Sequence, residues 1–300
     1  TPVPTPHAVP ALLSFLSPAL KAKPYTKSTS GETNVISEER TVPVTDLRSL
    51  PESDLQAFTT DTSGFQWVKH ESKLSGDELL DEESIKRVYY PEVDAFLKSR
   101  LGAKRTFIFD HTTRRAPPRG EKVDFGRDPN ARGPVHRAHV DQSRSAGAER
   151  VFVHMGEEAE RLSRGRVQIV NVWRPIRGPV TDWPLAVADY RSVDPETDLQ
   201  PTDLIYPHRV GETLSVRYSP RQRWYYISEQ QPEDVLLLKC YESESESESD
   251  SLSDTPGADG VQKGRALLTP HTAFWNPESG GREGEPRQSI EVRALVFYSD

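Results

Sequence analysis

Cysteine is nearly absent: Cys240 is the only one among 300 residues. That excludes an intramolecular disulfide framework and any thiolate-rich zinc or iron–sulfur site. A lone thiol suits a reducing compartment, so the expected location is cytoplasmic. Long hydrophobic runs are absent as well, and none approaches the roughly 18 residues of a membrane helix. Residues 11–20 (ALLSFLSPAL) are too short, are broken by Pro18 and lack the charged start of a signal peptide. Excess positive charge is also missing. Lys and Arg total 38 against 46 Asp and Glu, a net charge of -8 and the wrong sign for sequence-independent nucleic-acid binding. The expected partner is a small molecule, with neither nucleic acid nor membrane involved.

What is present suits one or two ordinary soluble domains, with 34% hydrophobic and 28% charged residues and enough length to bury a core without staples. Residues 1–30 hold five prolines among Ser, Thr and Lys and read as a flexible arm or strap. Residues 77–101 carry the best helical periodicity, with Pro91 as a break between two helices. RTFIFDHTTR (105–114) reads as a strand. Beyond it come short β-branched and aromatic runs at 166–175, 213–219, 223–228, 234–241 and 289–298, bounded by turn residues. One helix intervenes at 147–164. This pattern predicts a β-sandwich or barrel with helices outside one sheet. Residues 242–254 (ESESESESDSLSD) alternate acid and serine and read as a solvated, disordered insertion.

One histidine lies two residues from a carboxylate at ligand spacing: His139-Val140-Asp141. On an extended strand, both side chains face one way. His271, in TPHTAFWNP, supplies a second imidazole. Two histidines and one carboxylate form the facial set of non-haem Fe(II) oxygenases, with positions left open on the ion. Arg287 and Ser289, in PRQSIEVR, form an R-x-S pair on a predicted strand. A guanidinium with a neighbouring hydroxyl matches the distal carboxylate of 2-oxoglutarate better than an ammonium does.

Longer strings join these motifs: FTTDTSGFQWVKH (58–70), HVDQS (139–143), NVWRPIRGPVTDWPLAVADYRSV (171–193), RWYYISEQQPEDVLLLKCYES (223–243), PHTAF (270–274) and RQSIEVR (287–293). In these strings the chain resembles the fungal AsaB-like hydroxylase/desaturase family, which includes gibberellin desaturases and amino-acid oxidative cyclases. The resemblance implies a mainly β fold with flanking helices, built on a distorted double-stranded β-helix (a jelly-roll, cupin-like core). It also implies dependence on Fe(II), 2-oxoglutarate and O2, and oxidation of an unactivated C–H bond by hydroxylation, desaturation or ring closure. Iron would fall to His139, Asp141 and His271, with Arg287 or Arg293 anchoring the co-substrate. The expected division is an arm and helical flank over 1–104, then a catalytic core over 105–300 with the acidic loop at about 242–262.

Asn171 is a candidate hydrogen-bond partner for co-substrate or substrate. Trp173, Arg174, Tyr206, Trp224, Tyr226 and Phe274 are candidates for lining a substrate site, each weighed against an ordinary core or surface role. Tyr206 and Arg209 together could contact a carboxylate. His111, His136 and His154 lack a ligand-spaced partner and read as structural. Two other classes remain open at this level: a non-oxidative metal-assisted hydrolase, and a non-catalytic β-sandwich interaction protein.

Overall fold

The computed structural model describes residues 5–116, 132–244, 264–279 and 285–299. In chain order the strands are β1 (Ala8–Leu16), β2 (Tyr25–Lys27), β3 (Ser37–Asp46), β4 (Phe65–Lys69), β5 (Arg105–Arg115), β6 (His139–Val140) and β7 (Val167–Pro175). They continue as β8 (Leu185–Ala188), β9 (Leu199–Ile205), β10 (Val210–Val216), β11 (Trp224–Tyr226), β12 (Asp234–Glu242), β13 (His271–Ala273) and β14 (Gln288–Phe297). They form a nine-stranded sheet, β1-β3-β11-β8-β13-β6-β10-β9-β2, and a five-stranded sheet, β4-β12-β7-β14-β5.

The smaller sheet shows how the sequence positions a site. In β14, Ile290, Val292 and Ala294 belong to the apolar cluster under the helix Tyr90–Leu101. The alternate residues, Ser289, Glu291 and Arg293, therefore face the other sheet. β7 behaves alike: Val170 and Val172 join the helix-side cluster, while Trp173 packs between the sheets with Leu185, Val187, Leu236 and Leu238. A second helix, Arg144–Met155, closes one end over Val167, Ile169 and Phe297. It approaches closely because Gly147 lies against Tyr241, where a Cβ would collide with the ring.

The helical stretch over 77–101 is a short 3-10 turn, then a π segment Ile85–Tyr89 leading into Tyr90–Leu101. Pro91 sits in the first turn of that last helix, where its missing N–H breaks no bond.

The N-terminal residues depart from the expected arm, and the sheets do not respect a division at 104. β1, β2 and β3 belong to the nine-stranded sheet and β4 to the five-stranded one. Val9, Ala11, Leu13 and Phe15 alternate into a buried cluster, which outweighs the high proline content. Pro10 pairs directly with Pro43, a pairing in which neither residue has an N–H to exchange. The sheet also curls on itself, because Ser14 bridges Arg137 and the Ala138 N–H donates to the Ser14 carbonyl at 2.8 Å.

Most of the acidic insertion, residues 245–263, lies outside the described residues. Its two flanks meet at a buried ion cluster. Lys239 Nζ donates to Asp61 Oδ1 at 2.7 Å, to Glu242 Oε2 at 2.8 Å and to the Ala266 carbonyl at 2.9 Å. Arg265 pairs with Glu244 across the same stem.

Candidate active site

β6 and β13 are neighbours, and His139 and His271 are directly opposed in register. Each ring is held by its own backbone. His139 Nδ1 donates to the Arg137 carbonyl at 2.8 Å and His271 Nδ1 to the Thr269 carbonyl at 3.0 Å. Fixing Nδ1 as the protonated nitrogen leaves both Nε2 lone pairs free as ligands. Asp141 Oδ1 lies 3.4 Å from His139 Nε2 and 3.8 Å from His271 Nε2. One ligand atom from each of the three lies within 4.8 Å of the others. Adjacent ligands at about 2.1 Å from an ion sit about 3 Å apart, so small side-chain rotations close the set. His271 is buried, and that burial, with His139 next to it, pushes its pKa down to about 4. It is therefore neutral and able to ligate at neutral pH.

The other carboxylate oxygen of Asp141 is already engaged. Asn171 Nδ2 donates to Oδ2 at 2.8 Å and Arg293 Nε at 3.2 Å. Burial alone would raise the Asp141 pKa, but the Arg293 guanidinium, the His139 hydrogen bond and the nearby His271 hold it well below the ordinary carboxylate value. Arg293 is saturated: its remaining nitrogens reach Asp110 at 3.1 Å, Thr112 at 3.0 Å and Glu291 at 2.5 Å. The structure therefore gives Asn171 and Arg293 to the metal-ligand carboxylate rather than to the co-substrate.

Arg287 differs. It is buried and stacks its guanidinium 5.3 Å from the Trp173 ring centroid. NH1 donates to the Trp183 carbonyl at 2.6 Å, while Nε has no hydrogen-bond partner. Ser289 Oγ, on the same strand face, is buried and also lacks a partner. Burial, then the nearby Arg114, push the Arg287 pKa down to about 9. This is the signature of a buried cation without its anion. Both the triad and Arg287 line a narrow slot of about 20 Å³ with Trp173, Leu185 and Glu291. Beyond His139 and Asp141 the space widens into a cavity of about 830 Å³ that also reaches Tyr206.

Four of the candidate residues lie elsewhere. Arg174 faces the helix side of β7, donating to His70 Nδ1 at 2.6 Å and stacking over Tyr89. Trp224, Tyr226 and Phe274 sit in the cluster inside the curled N-terminal part of the large sheet. Trp224 packs edge-on to Phe15, and Tyr226 edge-on to Phe274. The aromatic on the opposite face is Tyr225, which packs on Phe58 and Phe65. The sequence reading missed Glu291 and Arg114. Extending the alternation beyond Arg287 and Ser289 would have found the first. Arg114 stands opposite Ser289 on β5, a pairing that no local pattern announces.

A family model described as "oxidoreductase/YMDC permease-like domain" matches residues 13–297. No helix among the described residues is long and apolar enough to cross a membrane. The chain is 31% identical over 290 residues to the hydroxylase/desaturase efuI of Hormonema carpetanum, covering 91% of this chain and 88% of that one. It is 32% identical over 246 residues to the Fe(II)/2-oxoglutarate-dependent dioxygenase nvfI of Aspergillus novofumigatus, covering 80% and 78%. A solved structure of the iron and alpha-ketoglutarate-dependent endoperoxidase NvfI matches with a TM-score of 0.77 and 27% identity, over 98% of this chain and 99–100% of that one. The two curled sheets are thus the jelly-roll of that oxygenase fold.

Proposed function

The chain belongs to the family of fungal hydroxylase/desaturases and Fe(II)/2-oxoglutarate-dependent dioxygenases, and from that premise we propose the following roles for its residues. His139, Asp141 and His271 hold Fe(II), and Arg287 with Ser289 binds the distal carboxylate of 2-oxoglutarate. The donor set suits the ion: two neutral imidazole nitrogens and one carboxylate oxygen, with open positions left over. Bound iron supplies the redox centre where O2 and 2-oxoglutarate are consumed to succinate and CO2 while a substrate C–H bond is oxidised.

The protein's own residues do the rest. Asn171 and Arg293 fix Asp141 so that Oδ1 faces the ion. Arg287 exchanges the Trp183 carbonyl for a carboxylate, and its Nε and Ser289 Oγ gain the partners they lack. Trp173 walls the slot and excludes water around that ion pair. The substrate is a small secondary metabolite or amino acid, and it enters through the wide cavity. A cytoplasmic enzyme acting apart from membranes and nucleic acid fits the net charge of -8 and the buried Cys240.

The observation that carries this reading is the buried, unpaired Arg287 Nε and Ser289 Oγ beside the His–Asp–His set. A metal-assisted hydrolase would have no use for them. The test is succinate release from 2-oxoglutarate under air. It should require Fe(II), stop under nitrogen and fail with Zn(II). Turnover supported by zinc, or independent of 2-oxoglutarate, would overturn the assignment.

A further inference from the structure

The wide cavity carries a charge imbalance that the metal and co-substrate do not use. Three arginines on its wall, Arg137, Arg150 and Arg209, have no ion-pair partner among the described residues. The acidic residues nearby are already committed. Asp203 and Glu212 share Lys23 at 2.5 and 2.9 Å, and Asp110 and Asp141 share Arg293. Only the exposed Glu149 is left over.

Two of the three cations are held in place by aromatic rings. Arg209 stacks over Tyr206 at 4.3 Å from the centroid, and Arg150 stacks over Phe109 at 5.4 Å. Such stacking fixes a guanidinium while leaving its in-plane N–H donors unspent. The two charges come from different elements, Arg150 from the helix Arg144–Met155 and Arg209 from the turn between β9 and β10. They are close enough for Arg209 to depress the Arg150 pKa, second only to burial. Like charges converging on one cavity without a carboxylate between them are costly unless a ligand supplies it.

The same cavity has an apolar side. Val153 is 63% exposed and Val135 is 36% exposed, and both belong to its lining. Resting on the oxygenase reading above, we infer that the substrate is an apolar acid whose carboxylate is bound between Arg150 and Arg209. Its hydrocarbon part lies along Val135 and Val153, toward the metal ligands. A neutral or cationic substrate would leave both guanidinium groups unpaired in a closed complex.

The test uses the full chain loaded with Fe(II) and saturating 2-oxoglutarate under nitrogen. The probes are 4-phenylbutyrate and its methyl ester, which share a shape and differ in charge. Binding is read by calorimetry. The acid should bind in addition to 2-oxoglutarate, and the ester at least about tenfold more weakly, as expected for loss of a charge-assisted contact. The Arg150→Ala/Arg209→Ala double variant should lose that preference while keeping wild-type 2-oxoglutarate affinity and Tm. The double Lys variant should recover part of it. Equal binding of acid and ester overturns the inference. So does no binding of the acid, displacement of 2-oxoglutarate by the acid, or an unchanged preference in the double Ala variant. Failure of the wild type to bind 2-oxoglutarate with Fe(II) would instead count against the oxygenase reading, and acid-over-ester preference in the metal-free protein would still stand by itself.

Discussion

Arg293 Nε donates to Asp141 Oδ2 at 3.2 Å, joining the central part of the small sheet to the residue that follows β6 in the large one. The contact ties the two layers together at the metal site, and it separates the roles of two arginines on one strand face. Arg293 serves a carboxylate inside the protein. Arg287 has a nitrogen still waiting for one.

Replacing His139, Asp141 or His271 by Ala should abolish Fe(II)-dependent succinate formation with little change in Tm, because ligands at an open site carry little of the core. The measurement is turnover alongside thermal unfolding. Wild-type turnover in any one variant removes that residue from the metal set.

Arg287→Ala should raise the apparent 2-oxoglutarate requirement by roughly 30- to 1,000-fold, the cost of a lost bidentate charged contact of about 2–4 kcal/mol. Arg287→Lys should recover only part. Titration of 2-oxoglutarate at fixed Fe(II) reads the effect, and unchanged affinity would move the anchor elsewhere.

Arg293→Gln should weaken Fe(II) binding by about 10- to 100-fold, the usual penalty for losing a residue that orients a ligand. At saturating Fe(II), the 2-oxoglutarate affinity should stay near wild type. The opposite split, with metal affinity intact and co-substrate affinity lost, would exchange the roles of the two arginines.

Lys239→Ala should cost about 3–5 kcal/mol in stability, because it leaves Glu242 buried without its cation. Denaturant unfolding measures it. Deleting 246–262 should leave Tm and turnover near wild type, since the ion cluster at the stem is kept. A large loss of turnover with Tm preserved would give that segment a part in catalysis.

Stability should fall as the pH drops through the ordinary imidazole range. Burial lowers the pKa of His70, His111, His136 and His154, each first of all through loss of hydration. The folded protein therefore binds fewer protons than the unfolded chain below about pH 6.5. The stabilisation is complete above that value and is lost on acidification. His70→Gln, which keeps an acceptor for Arg174, should flatten the profile. A Tm independent of pH between 8 and 5 would contradict this.

Local pattern made much of this legible. The five strand-like runs after residue 165 are strands, and H-x-D, His271 and Arg287 with Ser289 converge as their spacing suggested. Alternation also paired Trp224 with Tyr226 on one face. It could not say which face looks toward the metal, because that depends on β1 curling round to Arg137 and Ala138. Arg174 failed for a similar reason: alternation set it opposite Trp173, and the helical segment on that side covers it. The roles of Arg287 and Arg293 were undecidable locally, since Asp110 and Thr112 reach Arg293 from β5, some 180 residues earlier in the chain.

The paired N-terminal strands have a consequence for how the molecule is made. β3 waits for its parallel partner β11, where Val44 meets Trp224, and Ser14 waits for Arg137. During synthesis the apolar face of the β1–β3 hairpin therefore emerges long before the residues that cover it. Closing such distant pairs is slow, because the loop entropy is lost before the contacts form. Folding of this chain should thus be largely post-translational, and its yield should depend on chaperone supply and growth temperature more than on the final stability of the native state.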